Sequence, residues 1–459
     1  MSNIDMGKKV LVAGVGKSGI AAAKLLLGGG CSVVLYDDGK TVDDTSLTEM
    51  FGNGADVSMC TGSVPEEILS EIKYCVISPG IPLDAPSIRA FSEKGIHIIG
   101  EVELAYMYEK GTVAAITGTN GKTTTTALMG DIMKKTGRKV FVAGNIGLPY
   151  TETAKETDEE SCSVLEVSSF QLETISSFRP FVSAVLNITP DHLNRHHTMD
   201  NYIKAKMDIA KNQTKDDVIV LNYEDEVLRK EAEHVNARVI YFSSRHTLDE
   251  GVYLEDGKNI VVKLDGGCRR LCGTDELHVL GIHSYENVMA AVAMARAMNV
   301  SYEDIYDAVT KFQSVEHRIE YVCEKNGVKY YNDSKATNTD AAIKGITSMV
   351  RPTYLIGGGY DKQADFTEWI QSFDGAVKKL VLIGETSGQI ARTCDSLGFT
   401  DYIKMNGLKE AVGYCVENAE SGDAVLLSPA CASWDMFASY EERGKLFKKY
   451  VTQNYANII

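Results

Sequence analysis

One local pattern recurs at three places in the chain: an apolar strand, a glycine-rich or polar turn, and then residues with helical spacing. The first copy begins at KKVLVAGVGKSG, the second at GTVAAITGTNGKTT, and the third near HRIEYV. Strands that alternate with helices are joined by crossover connections, which place neighbouring strands parallel to one another. The pattern therefore predicts an α/β protein with mostly parallel sheets.

The number of domains follows from the chain length. At about 150 residues per domain, a chain of 459 residues is long enough for three domains. We place the boundaries near residues 100 and 314, which gives domains of residues 1–100, 101–314 and 315–459. Each predicted domain then opens with one copy of the strand–turn–helix pattern.

Composition and charge exclude several classes of protein. The chain has 63 acidic against 47 basic residues and a net charge of −16, which disfavours nucleic acid because a phosphate backbone needs a basic face. No apolar run approaches the roughly 18 uncharged residues of a membrane span. The start, MSNIDMGKKV, lacks the apolar core of a signal peptide, and the ten cysteines are scattered. We therefore expect a cytoplasmic protein with free thiols.

The first glycine-rich turn has the spacing of a dinucleotide-binding loop. Gly14, Gly16 and Gly19 lie between a strand and a helix, and Asp37 and Asp38 end the next strand. Glycines at this spacing let a pyrophosphate approach backbone N–H groups at the positive end of a helix. The favoured interpretation is a Rossmann-like domain that binds a pyrophosphate-bearing ligand. NAD binding is an alternative, although the segment is short for a full dinucleotide fold, and a tight turn without ligand is another.

The second glycine-rich turn predicts a nucleotide-binding loop. The sequence GTNGKT, from Gly118 to Thr123, lies between the strand VAAIT and a helix. Backbone N–H groups of such a loop surround phosphates, Lys122 would neutralise their oxygens, and Thr123 could bind Mg²⁺. The full P-loop pattern has glycine where Ile116 stands, so this loop is a shortened variant. A chance GKT in a surface turn is the alternative interpretation.

Polar residues follow the ends of later predicted strands. Glu166 ends the strand SVLEV, and Asp191 and His192 follow FVSAVLNITP. A buried carboxylate without a partner is costly, so Glu166 predicts a nearby cation. A lone histidine such as His192 is more often structural than a ligand. Lys204 and Lys206 lie on a predicted helix and would, by themselves, be interpreted as solvated residues.

Seven motifs occur in one order along the chain: GTNGKTT, GNIG, EVSSFQLE, NITPDHLNRH, GIHSYEN, EHR and NDSKATN. In this order they resemble the Mur ligase family, the ATP-dependent enzymes that form amide bonds in peptidoglycan precursor synthesis. NDSKATN and SPACASWDMF are similar to the branch that adds D-glutamate, and the short first domain is similar to that branch and to the alanine-adding branch. The resemblance covers nearly the whole chain and implies three domains. These are a UDP-sugar-binding Rossmann-like domain, a central ATP-binding P-loop domain, and an amino-acid-binding Rossmann-like domain.

The resemblance implies a reaction and its nucleotide site. ATP would phosphorylate the carboxylate of UDP-N-acetylmuramoyl-L-alanine, and the amine of D-glutamate would attack the acyl phosphate. Lys122, His192 and Lys206 would be catalytic. Two Mg²⁺ ions would be held by Thr123, Glu166, His192 and a CO₂-derived carbamate on Lys206, whose amine must then have a lowered pKa. The implied ATP-binding residues are Gly118, Thr119, Asn120, Gly121, Lys122, Thr123, Thr124, Asn287, Arg318 and Asp333.

The resemblance also implies two further binding sites. The residues matching UDP-substrate positions are Lys17, Ser18, Gly80, Asn145, Ser168, Gln171 and His192. Those matching D-glutamate positions are Lys335, Thr337, Lys362, Ser433 and Tyr440. Two ammonium groups suit a substrate with two carboxylates. The implied partners are therefore small molecules, and nothing in the sequence requires more than a monomer.

Three alternatives to this function remain open. One is a sister ligase that uses another amino acid or a folate-type acceptor, against which NDSKATN and the glycine-rich first domain argue. Another is a Rossmann oxidoreductase. The last is a catalytically silent nucleotide-binding regulator, against which the complete set Lys122, Glu166, His192 and Lys206 argues.

Overall fold

The computed structural model describes residues 9–313, 316–360 and 364–453. Three β-sheets, of five, nine and six strands, form its framework. By contact density the chain separates into two compact units. Unit 1 contains residues 1–272 and 286–309, and unit 2 contains residues 273–285 and 310–459.

The first sheet, in unit 1, is parallel throughout and has the strand order β3-β2-β1-β4-β5. Its strands are β1 (Lys9–Ala13), β2 (Ser32–Asp37), β3 (Val57–Thr61), β4 (Ile72–Ile77) and β5 (His97–Gly100). Its helices are α1 (Lys17–Leu27), α2 (Asp44–Phe51), α3 (Glu66–Leu69), α4 (Pro86–Glu93) and α5 (Glu101–Tyr106). The central strand β1 is almost wholly buried, as expected for a parallel strand covered on both faces.

The second sheet has the order β14-β13-β12-β11-β10-β9-β6-β8-β7. Its parallel strands are β6 (Thr112–Thr117), β7 (Val140–Gly144), β8 (Cys162–Glu166), β9 (Val182–Val185), β10 (Val218–Asn222), β11 (Arg238–Ser243) and β12 (Gly251–Glu255). It continues through β13 (Asn259–Leu264), which is antiparallel to β12, and then through β14 (Gly267–Gly273). The strands β6, β8 and β9 are buried apolar runs, so their carboxyl ends form a fixed edge on which loops can present side chains.

The helices that accompany the second sheet differ in length. They are α6 (Lys122–Lys135), α7 (Tyr150–Thr153), α8 (Ser169–Leu172), α9 (Leu193–His196), α10 (Met199–Met207), α11 (Glu226–Glu231), α12 (Ile282–Ala297) and α13 (Tyr302–Lys311). Short 3₁₀ turns follow several elements, at Ala154–Glu156, Asp208–Ala210, Ala232–His234 and Thr274–Glu276. Two of the long helices, α6 and α10, carry the phosphate-loop lysine and the predicted carbamate lysine.

The third sheet, in unit 2, has the order β15-β16-β20-β17-β18-β19. Its strands are β15 (Glu320–Lys325), β16 (Val328–Asn332), β17 (Thr353–Gly357), β18 (Val377–Leu382), β19 (Tyr402–Lys404) and β20 (Ala424–Leu427). Only the β15–β16 pair is antiparallel among the described pairings of this sheet. Its helices are α14 (Thr339–Thr347), α15 (Thr367–Gln371), α16 (Ser387–Ser396), α17 (Leu408–Asn418) and α18 (Tyr440–Thr452).

The predicted α/β class with mostly parallel sheets is confirmed. Strands β1, β6, β8 and β9 coincide with apolar runs named in the sequence analysis, whereas β3, β5, β12, β13, β14 and β19 were not predicted. The ten cysteines have free thiols, and only Cys268 is exposed. Within the described ranges, no helix is long and apolar enough to cross a membrane.

Candidate active site

The phosphate loop lies between β6 and α6, where the sequence predicts it. Gly118 and Gly121 have φ angles of +148° and +87°, values that residues other than glycine rarely adopt. The loop is also tightly packed, because a Cβ on Gly121 would lie 2.2 Å from Oδ1 of Asn287. The predicted adenine-binding residue Asn287, on α12, therefore lies directly against the loop. Asn120 donates its backbone N–H to Oδ1 of Asn187, at 2.8 Å.

Two lysine amines converge on this loop. Nζ of Lys122 donates to the carbonyl oxygens of Gly118, at 2.8 Å, and Thr119, at 2.9 Å. Nζ of Lys206, from α10, donates to the same Gly118 oxygen at 2.8 Å. The hydroxyl groups of Thr119 and Tyr202 are hydrogen-bonded at 3.0 Å, which links the loop to α10 a second time. The site thus brings two lysine amines together at one carbonyl oxygen of the predicted phosphate loop.

Lys206 is not the solvated helix residue that its sequence context alone would indicate. Its side chain is buried, with 2% of the residue exposed, and Nζ lies 4.7 Å from the ring centroid of Tyr202. Burial, and secondarily the charge of Lys122, lower the pKa of Lys206 to about 7. A neutral amine is therefore well populated near neutral pH. Lys204, two residues earlier, is exposed.

Glu166 lies at the end of β8 and contacts two other residues of the predicted sites, Thr123 and Asn145. It is 2% exposed, and its carboxylate accepts hydrogen bonds from Oγ1 of Thr123, at 2.9 Å, and Nδ2 of Asn145, at 2.8 Å. A hydroxyl and a carboxylate are oxygen donors of the kind Mg²⁺ prefers. In the described part of the chain no three His, Cys, Asp or Glu residues form a metal-binding cluster. A metal ion here would therefore need phosphate or water oxygens as well, which is how Mg²⁺ is usually held beside nucleotides.

His192 lies just before α9 in a left-handed backbone conformation, with φ of +53°. Its Nε2 lies 3.4 Å from a carboxylate oxygen of Asp191, and half of its side chain is exposed. Its ring lies 5.0 Å from that of Phe170, measured between centroids. The imidazole is therefore accessible and close to an acidic group.

The predicted UDP-substrate residues lie on loops of the first and second sheets. Gly16 and Gly80 are exposed, and a Cβ on either would meet no atom within 4 Å. The space beside these glycines is therefore open to a ligand. Ser18 lies in the first turn of α1, and Nζ of Lys17 donates to the carbonyl oxygen of Gly147 at 2.7 Å. Gly147 follows Asn145 in the GNIG loop, so this bond ties together two loops with predicted substrate contacts.

Ser168 and Gln171 form the start of α8. Oε1 of Gln171 accepts from the backbone N–H of Ser168 at 2.8 Å, and its Nε2 donates to Glu101 at 2.8 Å. Burial raises the pKa of Glu101 to about 7, although the bond from Gln171 opposes the shift. The Gln171 amide is therefore held by the protein itself, and no sequence motif indicated its partner Glu101.

The predicted D-glutamate residues follow the carboxyl ends of β16 and β20 in unit 2. Lys335 and Thr337 lie in the loop after β16, while Ser433 and Tyr440 follow β20. Nζ of Lys335 lies 5.7 Å from the Tyr440 ring centroid, so these two loops are in contact. Lys362 lies outside the described residues.

The two nucleotide residues predicted in unit 2 have different environments. Arg318 is exposed, whereas Asp333 is buried. The Asp333 carboxylate accepts from Oγ of Ser428, at 2.8 Å, and from the backbone N–H of Ile319, at 3.2 Å. Burial raises the pKa of Asp333 to about 7, against the opposing effect of these bonds. Each carboxylate oxygen of Asp333 thus accepts one hydrogen bond from the protein, which fixes the orientation of this side chain.

Two buried residues, Arg443 and His196, support the predicted sites but belong to no feature that the sequence analysis identified. Arg443, on α18, is 0% exposed and bonds to both loops of the D-glutamate set. His196, on α9, is buried against Tyr202, with 5.1 Å between ring centroids, and bonds to Oγ of Ser169 at 2.9 Å. Burial and the neighbouring charge of Arg195 lower the pKa of His196 to about 4, so it is neutral support for the helix α10 that carries Lys206.

Comparison with known families agrees with this arrangement. Residues 8–100 match the Mur ligase MurD-like N-terminal domain, 116–295 the Mur ligase middle domain, and 317–431 the Mur ligase glutamate ligase domain. The chain therefore belongs to the Mur ligase family.

Curated relatives match nearly end to end. The chain is 51% identical to the UDP-N-acetylmuramoylalanine–D-glutamate ligase of Lachnoclostridium phytofermentans, with 97% of this chain and 98% of the relative covered. It is 46% identical to the enzyme of the same name from Clostridioides difficile, over the same shares.

Solved structures show the shared fold. The UDP-N-acetylmuramate–alanine ligase of Thermotoga maritima matches with a TM-score of 0.55 at 16% identity, covering 96% of this chain and 99% of that one. The MurF ligase of the same organism, solved in complex with ADP, gives a TM-score of 0.55 at 17% identity, covering 98% and 96%.

Proposed function

We propose that this chain is an ATP-dependent ligase that joins D-glutamate to UDP-N-acetylmuramoyl-L-alanine through an acyl-phosphate intermediate. The observation that carries the proposal is the convergence of Lys122 and Lys206 on the carbonyl oxygen of Gly118, at 2.8 Å each. It occurs in a chain 51% identical over 97% of its length to a ligase of that name. Lysine amines at a phosphate loop are suited to the crowded negative charge of this reaction.

The first step brings a carboxylate and a triphosphate into contact. A carboxylate oxygen of the substrate attacks the γ-phosphorus of ATP, the bond to the β-phosphate oxygen breaks, and ADP leaves. Lys122 would move from the loop carbonyl groups to the phosphate oxygens and offset the repulsion between the two anions. Backbone groups of residues 118–124 would hold the phosphates, and Asn287 would contact the adenine from α12. Arg318 and Asp333 are proposed to reach the nucleotide from unit 2.

The metal-binding residues are proposed from the resemblance to the Mur ligase family, with support from the adjacent oxygen donors of Thr123 and Glu166. Thr123 and Glu166 would hold one Mg²⁺, and His192 together with a carbamate on Lys206 would hold a second. Mg²⁺ supplies charge neutralisation of the phosphate oxygens. The lowered pKa of Lys206, about 7, supports carbamate formation because only the neutral amine reacts with CO₂. The carbamate would replace a buried cation by an oxygen ligand.

In the second step, the neutral amine of D-glutamate attacks the acyl carbon. The tetrahedral intermediate then releases inorganic phosphate, and the nitrogen loses a proton to give the amide. Lys335, Thr337, Lys362, Ser433 and Tyr440 are the proposed D-glutamate residues. Two ammonium groups would pair with the two carboxylates and orient the amine.

The remaining predictions complete the proposal. Lys17, Ser18, Gly80, Asn145, Ser168, Gln171 and His192 would contact the UDP-linked substrate. The three sheets support a division into domains 1–100, 101–314 and 315–459. We also propose a cytoplasmic monomer, because ATP and UDP-linked sugars are cytoplasmic metabolites and each predicted residue is on this chain. Size-exclusion chromatography with light scattering tests the oligomeric state.

Phosphate release tests the function directly. Phosphate release is measured for purified protein with ATP, Mg²⁺ and UDP-N-acetylmuramoyl-L-alanine. Reactions that contain D-glutamate, L-glutamate, L-alanine or no amino acid are then compared. We expect turnover with D-glutamate alone. Turnover with another amino acid would contradict the assignment of the unit 2 residues, and no turnover in protein that binds ATP would contradict the ligase function.

A separate experiment tests the carbamate. Protein equilibrated with ¹³C-bicarbonate is expected to show a carbamate carbon signal that is absent from Lys206→Arg, because a guanidinium group does not form the adduct. Lys204→Arg on the same helix serves as the matched control. A signal that persists in Lys206→Arg would contradict the assignment.

A further inference from the structure

Arg443, on helix α18, carries a fully buried charge in unit 2, since its residue is 0% exposed. Its guanidinium group donates to four acceptors on two loops. Nε donates to Oγ of Ser334 and Nη2 to the carbonyl oxygen of Ser334, each at 2.9 Å. Nη1 donates to the carbonyl oxygens of Cys431, at 3.1 Å, and Ala432, at 3.3 Å.

All four of these acceptors are neutral. Burial lowers the pKa of Arg443, only to about 10, so the group stays charged near neutral pH. The carboxyl groups of Asp435 and Asp333 lie near enough to raise the pKa of Arg443, but the hydrogen bonds of its guanidinium group go to neutral oxygens, so burying the charge remains expensive. Carbonyl and hydroxyl oxygens offset part of that cost by hydrogen bonding. Because a neutral side chain would avoid this desolvation cost, the buried charge indicates a role in addition to packing.

The two bonded loops are the ones that carry the proposed amino-acid site. Ser334 directly precedes Lys335, and Ala432 directly precedes Ser433. The hydroxyl of Ser334 also donates to the carbonyl oxygen of Tyr440, at 2.8 Å. One guanidinium group therefore fixes the spacing between three residues of the proposed D-glutamate set.

We propose that Arg443 is the positioning residue of the amino-acid site, setting the distance between the loops after β16 and β20 for a dicarboxylate amino acid. This inference rests on the proposed function. The planar guanidinium spans two loops because its N–H groups diverge in fixed directions, whereas a lysine ammonium is a single point of donation. Its buried positive charge also favours an anionic ligand beside these loops.

The test compares Arg443→Lys with the wild type in phosphate-release assays, varying D-glutamate, ATP and UDP-N-acetylmuramoyl-L-alanine in turn. We expect KM for D-glutamate to rise about tenfold or more, because the loops lose their fixed spacing. KM for ATP and for the UDP-linked substrate should stay within about twofold, since they are bound mainly through unit 1. Arg351→Lys is the matched control, because Arg351 also donates to a backbone carbonyl in unit 2, that of Gly327 at 3.0 Å.

A purely structural role gives a different pattern. It would lower the amount of active enzyme and leave all three KM values unchanged, which would overturn the inference. If Arg443→Lys does not fold, Ser334→Ala provides the test, because it removes the hydroxyl that joins Arg443 to Tyr440. A selective rise in KM for D-glutamate of about threefold is expected there, and an unchanged KM would overturn the inference. Wild-type protein without D-glutamate turnover would instead overturn the proposed function.

Discussion

The phosphate loop of unit 1 and the amino-acid loops of unit 2 are both suited to anions, but they are built differently. The phosphate loop is one continuous segment, in which residues 118–121 connect β6 to α6 and include glycines with positive φ angles. The amino-acid loops, which follow β16 and β20 and carry the proposed D-glutamate residues, are separate segments, and the side chain of Arg443 bonds to both. A continuous loop carries its geometry in its own backbone, whereas separate loops need a buried group to set their distance.

The two regions also bury opposite ionisable groups. Lys206 in unit 1 and Asp333 in unit 2 both have a pKa near 7, in each case because burial disfavours the charged form. The neutral amine of Lys206 is thereby well populated near pH 7, while the carboxyl group of Asp333 accepts a hydrogen bond from Ser428. The same physical cause therefore favours the uncharged form of a base in one region and of an acid in the other.

The largest expected effect is at the phosphate loop. Lys122→Met should lower kcat by about 10³-fold or more, because the phosphate charge in the transition state loses its nearest cation. Phosphate release under saturating substrates measures this. Lys134→Met, an exposed lysine on the same helix with an ion pair to Asp131, is the control and should retain wild-type activity. A Lys122 variant with near-normal kcat would contradict the assigned site.

The buried amine predicts how stability depends on pH. Between pH 7 and the unperturbed value of 10.5, the unfolded chain binds a proton at Lys206 that the folded chain does not. The free energy of unfolding contributed by this group should therefore rise by about 1.4 kcal/mol per pH unit in that window. Denaturant unfolding of wild type against Lys206→Met, in CO₂-free buffer from pH 7 to 9, measures the difference. Lys204→Met should follow the wild type, and parallel curves for Lys206→Met would contradict the burial.

A substitution in the amino-acid loops should change KM for D-glutamate but not KM for ATP. Lys335→Met is expected to raise KM for D-glutamate about tenfold, because one of the cations facing the carboxylates is lost, while KM for ATP stays unchanged. The exposed Lys344 on α14, changed to methionine, is the control. A Lys335 variant that alters only KM for ATP would reverse the proposed division of roles between the units.

The pH dependence expected at Asp333 has the opposite sign to that of Lys206. Between pH 3.8 and about 7 the folded chain keeps a proton on Asp333 that the unfolded chain releases. Its contribution to the free energy of unfolding should fall by about 1.4 kcal/mol per pH unit as pH rises through this window. Asp333→Asn should remove that slope between pH 5 and 6, measured by denaturant unfolding. Asp340→Asn, at an exposed position on α14, should keep it.

The long apolar strands could be predicted from sequence because they are buried on both faces. The runs around β1, β6, β8, β9 and β20 are of this kind. The strands β3 and β19 were missed because none of their residues is fully buried, which leaves a weak apolar pattern. The antiparallel strand β13 was missed because the alternation of strands and helices predicts parallel neighbours only.

The sequence by itself determined the α/β class, the position of the phosphate loop and the family, because each depends on residues that are adjacent in the chain. The tertiary structure decided which ionisable groups are buried and desolvated. Lys206 and Lys204 look alike on one predicted helix, yet only Lys206 is buried at the loop. Arg443 likewise bonds to a loop that lies 109 residues earlier in the chain. Desolvation and contact depend on the packing of distant segments, which no local pattern of residues encodes.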